Sequence, residues 1–560
     1  MSMKLRSPSG KLAAVFAASA LLLAGCGGDS STSKNAQNAD SISVADYNPL
    51  DRDKVKQGGT FTTAIGEISE QQNRHHADST RYTTMLWEWY NPSIIESTAE
   101  GESSFNKNYV TDAKEESSGS KTKIVYTIND KAVFNDGTPI DWHAFETTWK
   151  INNGKNPAFS PSSTDGYENI ASVTKGANDK QAVVEFESTY PWWQGLFGII
   201  AHPALNDPHN YNDYVKKVHP EWGAGPYKME SIDFNRGEAT FVPNEKWWGD
   251  TPKLDKRIFR QMDTAAAVNA FKNGEIDATA VPSKDRYAAV KDMQGIELRT
   301  GRLPKNALLV LNAKSDILQD IKVREAVSRG LDRKLLSSIW FQGVPYTEDP
   351  PGSLINFPFQ KNYQDNFSKV ATFDADKAKA LLDESGWAEG PDGIREKDGK
   401  PLSLRYVLVG EDEQTTSIAK ASQKMLKDIG IDLKIETHPS SDFSKLVSSD
   451  DYDIFPIGFT ASDPFGVTYF GQTYLSDSQL NRSHAGTPEL DAKIRELQAL
   501  PTRDEQNKRA NELEVEALAR YGVIPQFNGV NIVAVKKGLA NYGAYAFANV
   551  PVENIGWASE

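Results

Sequence analysis

Residues 417–435 read SIAKASQKMLKDIGIDLKI, and the fold class turns on them. Up to Ile429 the apolar residues recur with the period of a helix. Gly430 then breaks the helix, and Ile431-Asp432-Leu433-Lys434-Ile435 alternates in the period of a half-buried strand. A helix followed so closely by such a strand is a building unit of an α/β sheet.

The same alternation extends in both directions. Gly58-Gly59-Thr60-Phe61-Thr62 opens a short strand, and residues 123–129 (KIVYTIN) form another. Asp136-Gly137 makes a tight turn, Pro139 suits a helix start, and residues 143–151 are helical. Asp320 caps a helix whose apolar side carries Ile321, Val323, Ala326 and Val327. Asp374 caps a second, over residues 375–385, which stops at Gly386. Thr502-Arg503-Asp504-Glu505 fits a capping box opening a long helix to about residue 520, and residues 523–528 return as a strand. No repeat of fixed period appears, which argues against a solenoid or propeller.

A chain of 560 residues is several typical domains long, so two or three lobes are expected. Its 12 Trp, 20 Tyr and 24 Phe supply enough apolar bulk for several cores and exclude a disordered chain. Lys and Arg number 62 against 76 Asp and Glu, a net charge of -14 that offers no basic surplus for nucleic acid.

Lys4, Arg6 and Lys11 precede one apolar run, residues 12–23 (LAAVFAASALLL). Twelve residues are too few to span a bilayer, where about 20 are needed, so residues 1–25 read as an export signal. Leu23-Ala24-Gly25-Cys26 resembles a bacterial lipobox, in which the cysteine is lipidated and becomes the mature N-terminus. Loss of the signal removes three positive charges and takes the net charge from -14 to -17. Residues 26–48, rich in Gly, Ser, Asn and Asp, are expected to form a flexible tether to the outer face of the cytoplasmic membrane.

Catalytic signatures are missing. There is no Gly-x-Ser-x-Gly elbow, phosphate loop, dinucleotide fingerprint or His-Glu-x-x-His, and Cys26 is the only cysteine. The 8 histidines, among them His75, His76, His202, His209 and His219, lack helical zinc-ligand spacing. Neither a metal nor a cofactor is expected, and the chain reads as a non-enzyme.

Six segments in order resemble the extracellular solute-binding proteins of family 5, the dipeptide- and oligopeptide-binding lipoproteins of ABC importers. They are FNDGTP (134–139), EWGAGPYK (221–228), NEKWWGDTPKLD (244–255), NGEIDA (273–278), VREA with LDR within 312–333, and AKALL with Gly386-Trp387 within 377–387. The resemblance implies a two-lobed periplasmic-binding-protein-like α/β fold of class II, large, with an extra subdomain on lobe one. Lobe I would comprise residues 49–90, 223–307 and 527–560, the subdomain 91–222 and lobe II 308–526. Crossings between lobes would lie near residues 308–312 and 525–528.

Residues 457–465 (IGFTASDPF) resemble that family's Gly-Trp-x-x-Asp-x-x-Asp-Pro loop, whose aspartate before proline receives a peptide α-ammonium. Asp463 is accordingly the expected ligand carboxylate, with Phe459 and Thr460 beside it, although an aspartate before Pro464 also serves as a turn residue. Phe459 stands where the family has tryptophan, and the first of its two aspartates is not evident. Trp87 and Tyr90, in the place of a Tyr-Glu-Gly-Leu segment, and Arg74 from the preceding loop complete the candidate ligand set; Arg81, Arg302 and Lys305 lie near expected cleft edges.

The expected function is capture of peptides between lobes and delivery to permease subunits by a monomeric, lipid-anchored protein. An oligosaccharide binder of the same fold, stacking sugars on Trp87, Trp89, Trp192 and Trp193, is the alternative; a surface hydrolase is a more distant one. Metabolic labelling with a fatty acid should mark the wild type and not Cys26→Ser; equal labelling of both would refute the lipobox.

Overall fold

A computed structural model describes residues 37–117, 121–410 and 412–559; the signal and Cys26 lie outside them. Three sheets, each with its own core, organise these residues. The first has seven strands in the order Ile296–Arg302, Val530–Lys536, Ala278–Ala280, Thr60–Ile65, Lys256–Gln261, Glu238–Pro243 and Tyr227–Asp233. Thr60–Ile65 runs parallel to Lys256–Gln261, while Val530–Lys536 is inserted antiparallel between Ala278–Ala280 and Ile296–Arg302, more than 200 residues earlier in the chain. The C-terminal part of the chain is thereby woven into lobe I.

The second sheet orders Asp432–His438, Ser403–Val409, Ile454–Thr460, Lys305–Leu311 and Val523–Phe527. Its first two strands are parallel and joined by the helix Glu413–Asp428, the unit read from residues 417–435. The Asp412 side chain caps that helix by accepting the Thr415 N–H. At its other end Gly430 takes φ +92°, a conformation open to glycine, so that the Gly430 and Ile431 amides return to Lys427 and Leu426 carbonyls. Ile418, Ala419 and Leu426 then face Leu404, Tyr406 and Leu433 in the core of lobe II.

The third sheet is antiparallel: Val110–Glu115, Lys123–Ile128, Gln181–Phe186 and Ile170–Lys175. The helix Trp142–Asn152, capped by Asp141, packs on it around Tyr126, Phe134 and Phe145. The helices expected from Asp320, Asp374 and Thr502 form as Ile321–Gly330, Ala375–Glu384 and Arg503–Leu518, each with its cap accepting a backbone N–H.

The chain passes between the two large sheets twice. One passage is Leu303 and Pro304, linking Ile296–Arg302 to Lys305–Leu311; the other is Asn528 and Gly529, linking Val523–Phe527 to Val530–Lys536. The first lies ahead of the expected residues 308–312, because all of Lys305–Leu311 pairs in register with Ile454–Thr460 and so belongs to lobe II. Pro304 has no N–H to extend a ladder. Asn528 Nδ2 donates to Lys305 O at 2.8 Å, and Gly529 at φ +105° turns the second passage. Glu348 holds this hinge from below: its carboxylate accepts the Asn528 N–H at 2.6 Å, the Gly529 N–H at 3.1 Å and the Tyr346 hydroxyl at 2.6 Å.

The expectation of a flexible tether as far as residue 48 is corrected for residues 37–48. Gln37 and Asn38 pair in parallel with Tyr346 and Thr347, Arg302 donates to Ala39 O, and Asp46 bridges Ala544. Backbone pairing orders this stretch despite its polar composition, and it lies against the hinge. No helix among the described residues is long and apolar enough to cross a membrane.

Glu348→Ala would orphan up to three donors at the hinge, each worth about 1–3 kcal/mol when left unpaired. Denaturant titration should show a loss of at least that size; an unchanged midpoint would show that Glu348 does not brace the crossings.

Candidate functional site

A cavity of about 550 Å³ is walled by helices and loops from all three parts of the fold. Arg74, His75 and Glu88 line it from lobe I, Asp165, Tyr167 and Tyr190 from the subdomain, and Asp463 and Tyr469 from lobe II. A second hollow of about 240 Å³, walled by Asn306, Phe459 and Thr460 among others, shares Asp463, Pro464, Tyr469 and Phe547 with the first. The lobes meet around this space. Trp192 of the subdomain enters an apolar cluster of lobe II with Phe465 and Phe470, and its Nε1 donates to Gln506 Oε1 at 2.7 Å. Arg503 Nε donates to Pro191 O at 2.8 Å, with the guanidinium 4.9 Å from the Trp192 ring centroid, and Gln472 Nε2 reaches Asp165 Oδ2 at 2.7 Å. On the other side Phe547 lies 5.8 Å from both Phe357 and Phe359.

Asp463 is delivered by the end of the strand Ile454–Thr460. The strand pairs through Thr460 with Lys305, the Ala461 amide bonds Pro304 O at 2.9 Å, and the chain then turns into the cleft. Asp463 Oδ1 accepts the Phe465 N–H at 2.8 Å, which closes the turn around Pro464. Its Oδ2 accepts the Tyr469 hydroxyl and, at 3.2 Å, the Ser462 hydroxyl. The two readings of Asp463 are compatible, since this carboxylate shapes the turn and also lines the cavity. Burial pushes its pKa up; the bonds from Tyr469, Phe465 and Ser462 oppose that shift, and the nearby Asp165 charge adds to it. Phe459, 39% exposed, and Thr460 line the smaller hollow.

Thr80 caps the helix Arg81–Tyr90, which faces the cavity from lobe I. Here the sequence expectation for Trp87 and Tyr90 is corrected. Trp87 is 4% and Tyr90 1% exposed, and both pack into the lobe I core with Leu86, Trp89 and Phe241. Their rings are consumed by that packing, because an amphipathic helix turns its aromatic stripe to the sheet. Trp193 is a core residue of the subdomain. Glu88 escapes the stripe and shows its side chain to the cavity.

Glu88 and Arg74 were brought together by folding. Glu88 itself keeps contact with solvent, and the cavity walls around it push its pKa up against a smaller lowering by the Arg74 charge. Burial likewise holds Arg74 below its ordinary value, and its Nε is buried without a hydrogen-bond partner among the described residues. His75, fully enclosed, is pushed down to about 3 and is neutral at physiological pH. The cavity therefore sets three carboxylates against one guanidinium, a site suited to a ligand carrying positive charge. Arg302 and Lys305 contribute elsewhere, to residues 39–40 and to a separate hollow in lobe II. Among the described residues no group of three or more His, Cys, Asp or Glu is placed to hold a metal ion.

Sequence reasoning missed Glu88, Asp165, Tyr167, Tyr190 and Tyr469. Only Glu88 carried a signal, as the one charge within the aromatic run Trp87-Glu88-Trp89-Tyr90.

Comparison with known proteins fits this architecture. The chain is 28% identical over 548 residues to the oligopeptide-binding protein OppA of Mycobacterium bovis, covering 96% of this chain and 92% of that relative. Among solved structures, a periplasmic EDTA-binding protein, EppA, superposes with a TM-score of 0.82 at 24% identity, covering 92% of this chain and 98% of that one. The oligopeptide-binding protein AppA of Bacillus subtilis, in complex with a nonapeptide, gives 0.69 at 20% identity, covering 90% and 100%. The profile of the bacterial extracellular solute-binding proteins, family 5, matches residues 99–481, and the chain, with its two sheets joined by a double crossing and its cavity between them, belongs to that family.

Proposed function

We propose that this protein captures peptides between its lobes and presents them to the permease of an ABC importer. The observation that carries the reading is the Asp463 carboxylate, oriented by Phe465, Tyr469 and Ser462, on the wall of an acidic cavity between the lobes. A free α-ammonium group placed there forms a charge-assisted bond in a water-poor site. The likeness to a relative named for oligopeptide binding supports the same ligand class.

Two other ligand classes fit less well. An anionic metal chelate, of the kind for which EppA is named, meets an excess of carboxylate. A sugar finds few free rings, because Trp87, Trp89 and Trp193 are core residues and Trp192 is engaged with Gln506 and Arg503.

In this reading residues 49–90, 223–304 and 529–560 act as lobe I, 91–222 as its subdomain and 305–528 as lobe II, the expected bounds at 307 and 527 moving to the crossings at Leu303-Pro304 and Asn528-Gly529, about which the lobes close. Ligand binds by bridging walls that meet only in the closed form, which shifts the population toward it. The protein acts as a monomer, performs no chemistry, and is tethered through Cys26 to the outer face of the cytoplasmic membrane.

Small-angle scattering should show compaction when a peptide mixture is added, and the peptides should return intact by mass spectrometry; cleaved peptides would instead favour a hydrolase.

Asp463→Asn keeps the shape and removes the charge. Truncating a desolvated ion pair costs about 2–5 kcal/mol, and N-acetylation of the peptide should weaken wild-type binding in the same range. Both changes together should cost much less than their sum, because each removes one interaction. A calorimetric double-mutant cycle measures this. Unchanged binding by Asp463→Asn, or equal binding of acetylated and free peptides, would reduce Asp463 to a turn residue.

A further inference from the structure

Trp192 is 7% exposed and is the one buried residue of the subdomain in an apolar cluster otherwise built by lobe II, from Ile355, Phe465, Val467 and Phe470 among others. The partner of its indole is oriented in advance. Buried Gln506 donates through Nε2 to Gln498 O at 3.1 Å and to Leu500 O at 2.8 Å, and these bonds within lobe II turn its Oε1 toward the Trp192 Nε1–H. Arg503, three residues earlier on the same helix, directs its donors across the interface: Nε donates to Pro191 O at 2.8 Å and Nη2 to Gln194 Oε1. Its guanidinium lies 4.9 Å from the Trp192 ring centroid and 5.1 Å from that of Phe465.

Two further facts separate this contact from the ligand site. Neither Arg503 nor Gln506 lines the cavity or the smaller hollow, whereas Gln472 and Asp165, which also bond across the interface, stand on their walls. The subdomain is fastened to lobe I: the Asn135 amide bonds Gly223 O at 2.8 Å, Asn244 Nδ2 donates to Asn135 Oδ1 at 2.9 Å and Trp248 Nε1 to Asn108 O at 2.8 Å. Trp192 therefore travels with lobe I and leaves its seat in lobe II when the lobes part.

We propose that Arg503 and Gln506 grip Trp192 as a latch made only in the closed form, and that the two residues set the affinity for every ligand alike without touching any of them. The inference rests on the reading above that the lobes close about a bound peptide. Opening returns the Trp192 ring to water and breaks the bonds to Gln506, Pro191 and Gln194, so the latch stabilises the closed form whether or not the cavity is filled. A ligand that binds the closed form has an apparent affinity reduced by the fraction of protein not yet closed, and a weaker latch lowers it by one factor for all ligands.

Arg503→Ala is the probe, because the hydrogen bonds of that side chain go to the subdomain and its loss leaves the Gln506 bonds within lobe II in place. Calorimetry with two peptides of unrelated sequence should show both bound roughly tenfold more weakly by Arg503→Ala than by wild type, with a common factor. Gln194→Ala removes one of the same bonds from the other side, so the double variant should lose less than the two single losses combined. Unchanged affinity, losses that differ between the two peptides, or fully additive losses would overturn the latch and leave the peptide reading intact.

A ligand-free arm keeps the two readings apart. Small-angle scattering should find unliganded Arg503→Ala more extended than unliganded wild type, and identical curves would overturn the latch. Should no peptide bind wild type, the peptide reading fails, and this scattering comparison alone decides the latch.

Discussion

Exclusion of water from the space between the lobes is the constraint on which the remaining properties depend. Where the Trp192 cluster and the Phe547 contacts close around the cavity, charges on its wall lose hydration that nothing in the protein fully replaces. Asp463 is compensated by three donors, whereas Glu88 stays open to solvent. The same burial that raises the Asp463 pKa makes a bond from a ligand cation strong, so binding and the electrostatic cost of the empty cleft have one origin.

Topology makes such a cavity possible. Strand Val530–Lys536, from the end of the chain, lies inside the first sheet, so two segments cross between lobes and the crossings, at Leu303-Pro304 and Asn528-Gly529, lie side by side. Two short adjacent connections permit the lobes to open about one axis while each sheet stays whole. Glu348 and the strand of residues 37–38 gather at this point, so that the segment leading from the N-terminus rests on the hinge rather than on a remote surface.

The closed contacts are chemically mixed, which suits a reversible arrangement. Trp192 contributes apolar burial, while Arg503, Gln506 and Gln472 contribute directional bonds to the subdomain. Polar groups of this kind exchange protein partners for water on opening without a large penalty, so closure stays responsive to what the cavity holds.

Much of the fold was legible in the chain itself. Residues 417–435 form the helix and strand their periodicity implies, because Gly430, Asp412 and the apolar stripe act locally. The caps Asp320, Asp374 and Thr502 mark helix starts for the same reason. Asp463 was picked out by a short contiguous loop motif, and the fold places it on the cavity wall. What the sequence could not decide was the direction in which side chains of the helix Arg81–Tyr90 point: Trp87 and Tyr90 fill the core and Glu88 faces the cavity, a choice set by where the sheet lies. Nor did composition reveal that residues 37–48 pair with the hinge, or that Asp165, Tyr190 and Tyr469 share one wall. Periodicity and capping are read within a few residues, so sequence alone determines them; a cavity is assembled from residues hundreds apart, and the pKa of an acid within it follows from water that only the tertiary structure excludes.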